Sequence, residues 1–156
     1  MSELRLRELL RRLASAEVEF VLVGGLAVNA WGYVRGTRDL DLVPDPAAEN
    51  LERLAALLEE LDGRVETAEG RLGPSAIGTF LRAGDRALVA TPLGPVDVLQ
   101  GLPQVPGYRQ LRPEAVAVDL EDLTVMVCSL EHLKVMKRAS DRPQDAEDLR
   151  ALEAGQ

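Results

Sequence analysis

Hydrophobic and polar positions change period several times along this chain, and each change predicts an element. Over residues 3–15, Leu6, Leu9, Leu10 and Leu13 recur at helical spacing among arginines and glutamates, with Ser2 as N-cap. Residues 18–23 are β-branched, aromatic and apolar enough for a buried strand, which Gly24 and Gly25 break. Residues 26–33 follow as a short helix. Residues 39–43 alternate acid and apolar side chain, a strand with Leu40 and Leu42 on the face opposite Asp39 and Asp41. Asp45 as N-cap and Pro46 at the first helical position then open a helix. Its stripe is Leu51, Leu54, Leu57, Leu58 and Leu61, and Gly63 ends it.

Beyond Gly63 the pattern weakens. Residues 64–78 read as a short strand and an exposed loop, and residues 79–83 and 86–90 as a hairpin around Gly84-Asp85. Residues 96–99 form a further strand, and the Gly- and Pro-rich residues 100–108 a surface loop. Two short strands at 115–118 and 124–127 come next. Ser129 then caps a final helical pair, 130–139 and 143–154, broken near Asp141-Arg142-Pro143. Together these predict a small mixed α/β (α+β) fold in which helices flank one sheet. It forms a single domain over 1–156, with a core of about 18–128 and C-terminal helices at 129–154.

Composition narrows the function classes. A chain of 156 residues, 46% hydrophobic and 28% charged, is ordinary for one soluble domain. No apolar run approaches the ~20 residues that span a bilayer, and the N-terminus lacks a signal peptide's apolar core. The single cysteine, Cys128, has no partner for an internal disulfide, which fits a cytoplasmic protein and a buried, unreactive thiol. A net charge of −8 argues against a dedicated nucleic-acid binder. Even so, Arg5, Arg7, Arg11 and Arg12 cluster in the first helix, and Lys134, Lys137, Arg138 and Arg142 near the end.

Candidate chemistry concentrates in the stretch FVLVGGLAVNAWGYVRGTRDLDLV, residues 20–43. Asp39 and Asp41 point to one face, roughly 6.6 Å apart along a strand, and offer oxygen ligands to Mg²⁺ or Mn²⁺. Gly24 and Gly25, at a strand-to-helix turn, either permit tight geometry or leave bare N–H groups facing a phosphate. Asp97, alone between Val96 and Val98, points either to solvent or into a site. Arg35, Thr37 and Arg38 precede the acidic strand and serve either solvation or phosphate charge. Trp31 and Tyr33 read as core, and His132, Lys137 and Arg138 as surface positions. No dinucleotide fingerprint or P-loop is present.

The order of these features resembles the nucleotidyltransferase superfamily, of DNA polymerase β-like fold: strand, Gly-Gly, Asp-x-Asp, then a third acid on a later strand. The nearer resemblance is to the AbiEii-like toxin nucleotidyltransferases, through Arg35, Thr37, Asp39 and Asp41, then Leu133-Lys134, then Arg142-Pro143-Gln144-Asp145 and Asp148. It implies that Asp39 and Asp41 bind the metal and that Asp97 completes the metal site or acts as base. It also implies nucleotide contacts by Gly24, Gly25, Arg35, Thr37 and Lys134, with Arg38, Arg142 and Asp145 as further candidates. Asp145 would orient Lys134 or cap the last helix. Two departures stand out: Gly25 where many members have serine, and Gln144 where lysine is usual.

The activity so implied is metal-dependent, with ATP or another NTP as substrate. NMP is transferred to a hydroxyl or phosphate of RNA (tRNA above all), a protein or a small molecule, with an antitoxin as a partner. The alternative is a non-catalytic module of the same fold that acts through a partner protein.

Overall fold

The computed structural model describes residues 2–32, 37–120, 122–140 and 142–155, with residues 2–4 as backbone only. The predicted helix end at Tyr33, the Ser2 side-chain cap and Asp141 fall outside what is described, as does Arg35. Among the described residues there are eight strands in one sheet, in the order β4-β3-β5-β6-β2-β1-β8-β7. The strands are β1 (Phe20–Val23), β2 (Leu40–Pro44), β3 (Arg64–Thr67), β4 (Gly70–Leu72), β5 (Ala87–Ala90), β6 (Val96–Val98), β7 (Val116–Leu120) and β8 (Leu123–Val127). The helices are α1 (Ser2–Ser15), α2 (Gly24–Ala30), α3 (Ala48–Glu60), α4 (Ala76–Arg82), α5 (Tyr108–Leu111), α6 (Leu130–Ala139) and α7 (Pro143–Ala154). Most strand pairs are antiparallel; β2 with β6 and β1 with β8 run parallel.

The leucine stripes do the work that their spacing predicts. Leu6, Leu9, Leu10 and Leu13 of α1 are buried, as are Leu51, Leu54, Leu57 and Leu58 of α3. With Ile77 and Leu81 of α4 they form one apolar cluster that includes Leu40 and Leu42 of β2. Asp41 of β2, and Asp39 just ahead of the strand, therefore stand on the other side of the sheet. Asn50 is a buried polar exception with its bonds made. Its Oδ1 accepts from Glu19 N at 2.7 Å, and its Nδ2 donates to Glu19 O at 2.8 Å and Asp45 O at 2.9 Å. These bonds tie α3 to the start of β1 and the end of β2, at the end of that strand pair away from Val23 and Asp41.

Several boundaries differ from the pattern-based ones. Residues 79–83 are not the first arm of a hairpin; 79–82 belong to α4, with Ala83 as its C-cap, and the helix buries Ile77, Gly78 and Leu81. The Thr-Phe-Leu run looks like strand, but the i, i+4 pair of Ile77 and Leu81 meets α3, and packing overrides propensity. β5 pairs instead with β3 and β6. Helix α3 begins two residues past Pro46, and Asp45 Oδ1 accepts from Ala47 N at 3.0 Å just ahead of it. At the C-terminal end, Ser129 Oγ accepts from His132 N at 3.0 Å, and α6 and α7 span the expected residues. No helix among the described residues is long and apolar enough to cross a membrane.

Candidate active site

Strand register brings the acids together. Across four neighbouring strands, Val23, Asp41, Asp97 and Leu88 are paired in one row, β1 to β2 to β6 to β5. Directly paired residues share a face, so Asp41 and Asp97 lie side by side although 56 positions separate them in the chain. Asp39, one step before β2, lies on the same side by strand alternation. All four residues of the row, with Asp39 and Gly24, line a cleft of about 550 Å³. Its other walls are the 99–105 segment, through Leu99, Leu102, Gln104 and Val105, and the α6–α7 junction, through Met136, Lys137, Ser140, Arg142 and Asp145.

Gly24 is required at this point for two independent reasons. Its φ is +70°, in the left-handed region that side chains avoid. A Cβ built there would also collide with the Asp41 carboxylate. The backbone therefore presses directly on the acid. Gly25 is buried within α2 and is not among the lining residues.

The electrostatics are those of a site with an excess of negative charge. Burial, then the charges of Asp97 and Asp39, push the Asp41 carboxyl up to about 7, against the pull of Lys137 and Arg142. Asp97 is only 8% exposed. Arg86, just ahead of β5, grips it in a fork: Nε donates to Oδ1 at 2.9 Å and Nη2 to Oδ2 at 2.7 Å. At the α6–α7 junction, Lys137 Nζ lies 2.9 Å from Asp145 Oδ1 and 2.8 Å from Asp148 Oδ2. Asp145 also accepts from Ser140 Oγ and from the Arg142 guanidinium. Burial pushes the Asp145 carboxyl up, but the bonds from Arg142, Ser140 and Lys137 outweigh it and hold the group well below the usual carboxylate range.

Of the residues singled out by sequence, the cleft gathers Gly24, Asp39, Asp41, Asp97, Arg142 and Asp145. It does not gather Thr37, whose hydroxyl donates to Asp39 O at 3.4 Å, or the exposed Arg38. Lys134 is buried in α6 and is not among the lining residues. One turn further on, Lys137 lines the cleft and is buried, not solvated as its sequence context suggested. A lysine at i+3 shares roughly the same helix face, so spacing alone separates the two poorly. Asp145 accordingly pairs with Lys137. Arg86 was missed altogether; its only sequence signal is a cation leading a strand next to the Asp97 strand. Cys128 is buried and its thiol is pushed up to about 12 by burial, so it supplies no thiolate.

The chemistry of the donor set bears on metal binding. Among the described residues, no group of three or more His, Cys, Asp or Glu forms a ready-made metal cage. Mg²⁺ that travels with nucleotide rarely uses one; it takes one or two carboxylates and fills its shell with phosphate oxygens and water. Asp39 and Asp41 fit that requirement, and a divalent cation would relieve the repulsion that raises the Asp41 carboxyl.

A family model described as "Nucleotidyltransferase of unknown function (DUF6036)" matches residues 4–154. Among curated proteins, none matches. Among solved structures, the chain is similar to lincosamide antibiotic adenylyltransferase LnuA in its lincomycin-bound crystal form. The TM-score is 0.72 at 17% identity, over 99% of this chain and 98% of that one. It is also similar to the antibiotic-resistance factor ANT(2'')-Ia. The solution structure gives a TM-score of 0.62 at 17% identity over 96% and 81% of the two chains. The crystal complex with adenylyl-2''-tobramycin gives 0.60 at 15%, over 96% and 86%. At such identities the likeness is one of fold.

Proposed function

The chain belongs to this nucleotidyltransferase family, within the nucleotidyltransferase superfamily and with its fold, and on that premise we propose that the acidic cleft transfers a nucleoside monophosphate from an NTP to a small hydroxylated acceptor. The observation that carries the proposal is the Asp41–Asp97 row with Asp39 alongside and Gly24 pressed against Asp41. In the reaction, an acceptor oxygen bonds to the α-phosphorus. The bond from that phosphorus to the oxygen bridging to the β-phosphate breaks, and pyrophosphate leaves.

Asp39 and Asp41 would hold Mg²⁺, which when bound supplies Lewis-acid stabilisation of charge on the phosphate oxygens. Gly24 holds its backbone against Asp41, so phosphates that share the metal of Asp41 would lie beside that backbone. Arg142, 75% exposed, balances triphosphate charge, and Lys137, held between Asp145 and Asp148, fixes the wall from which Arg142 reaches. Asp97 keeps lone pairs beyond its two bonds to Arg86. With them it joins the metal's shell or takes the acceptor's proton. The contribution of the chain is mainly positioning and fixed charge.

Two observations favour a small acceptor: the net charge of −8 disfavours a long polyanion, and the fold relatives named above are a lincosamide antibiotic adenylyltransferase and an antibiotic-resistance factor. Transfer to tRNA or a protein, with an antitoxin as partner, rests on the Arg-x-Thr-x-Asp-x-Asp and Arg-Pro-x-Asp-x-x-Asp motifs alone. Incubation with α-labelled NTPs, Mg²⁺ and a cell extract separates the two. Label in the small-molecule fraction, lost in Asp39→Asn/Asp41→Asn, is the expected result. Label in RNA or protein instead would overturn the acceptor class.

A further inference from the structure

Arg86 belongs to none of the motifs above, yet it lines the cleft beside the acids. Its guanidinium is held along one edge by Asp97, which is 8% exposed, while the Arg86 side chain itself is 48% exposed. The fork uses one hydrogen on Nε and one on Nη2. Of the five N–H donors of a guanidinium, both on Nη1 and the second on Nη2 are left over. The α6–α7 wall repeats the device. Arg142, 75% exposed, is held along one edge by Asp145, 1% exposed, through Nε at 3.0 Å and Nη2 at 3.2 Å. Two arginines in one cleft are each oriented by a buried carboxylate and each keep donors to spare.

The metal or base role given to Asp97 above accounts for the acid but not for the two-bond fork on Arg86, and stability is a weak reason for that fork. A half-exposed ion pair contributes little, whereas burying Asp97 beside Asp41 carries a desolvation and repulsion cost that a neutral residue would avoid. Orientation is the better reason. A guanidinium fixed along one edge offers its other edge as a preset planar fork, the shape that suits two oxygens of a phosphate.

We propose that Arg86 is a phosphate-binding residue for the triphosphate of the incoming nucleotide, and that Asp97 is the positioning residue that aims it. The proposal rests on the nucleotidyl-transfer reading and deepens it. Arg86 and Arg142 hold the triphosphate from two walls of the cleft, and their charge offsets the negative charge that builds on the departing pyrophosphate.

The test is equilibrium binding of each common ribonucleoside triphosphate with Mg²⁺, and separately of Mn²⁺ alone, to wild type, Arg86→Gln and Arg86→Lys. Thermal melts establish that each variant is folded. Arg86→Gln is expected to weaken nucleotide binding at least about tenfold while Mn²⁺ binding at Asp39 and Asp41 is retained. Arg86→Lys should recover only part of the loss, because a lysine cannot be held by two parallel bonds. Nucleotide binding by Arg86→Gln equal to wild type would overturn the proposal. So would parallel loss of Mn²⁺ and nucleotide, which would mean that Arg86 merely holds the acids in place. Failure of wild type itself to bind any nucleotide would overturn the nucleotidyl-transfer reading first, and this proposal with it.

Discussion

Residue-scale chemistry turns on Asp41 and its neighbour Gly24. A carboxyl raised to about 7 opposes folding of the empty protein. Below about pH 4 both folded and unfolded chains keep this proton and there is no penalty. As pH rises toward 7 the unfolded chain releases the proton first, so stability falls, and above 7 the penalty is complete. Asp41→Asn should therefore stabilise the metal-free protein at pH 8, on the order of 2–4 kcal/mol, with the advantage fading toward pH 4. Thermal melts across that range check it; an advantage that grows on acidification would contradict the assignment. Gly24→Ala should cost activity and stability together, since the new Cβ meets Asp41 at a strained φ. A variant with unchanged melting temperature and turnover would show that the approach is not tight. The acids were legible in sequence because aspartate is costly in strands. Arg86 was not, because a cation that reaches across strands leaves no local pattern.

At the scale of elements, the legible parts were those with local signals. The α1 and α3 stripes, the Ser129 cap and the Pro143 start all reappear where spacing predicts them. The strand expected at 86–90 is present as β5, but 79–83 is helical, because seven residues of α4 are too few to show a period and its helical state depends on contacts with α3. The α6–α7 junction shows how an element pair positions a site. Lys137, 6% exposed, is buried against two carboxylates, and its partners lie on the first two turns of α7. Removing one partner of a buried ion cluster strands the others. Lys137→Met should therefore destabilise the protein by about 3–5 kcal/mol in chemical denaturation, and adding Asp148→Asn should restore part of it. A change below about 1 kcal/mol would mean that the cluster is effectively solvated.

For the whole molecule, the sheet is what turns scattered motifs into one site. Parallel pairing of β2 with β6 sets Asp41 beside Asp97, and β5 brings Arg86 to the same acid from the far side. One layer of leucines backs the sheet, so the polar face is free to form a cleft roofed by α6, α7 and the 99–105 segment. The family to which the chain belongs is one of nucleotidyltransferases, and the fold agrees with it. Which phosphorus is attacked decides whether the cleft is a nucleotidyl-transfer site. Parallel reactions with α-labelled and γ-labelled NTP, with Mg²⁺ and an extract containing the acceptor, read this directly. Nucleotidyl transfer leaves α-label on the acceptor and releases γ-label as pyrophosphate, and both are expected to be absent from Asp39→Asn/Asp41→Asn. Transfer of γ-label to the acceptor, with α-label left on nucleoside diphosphate, would contradict it.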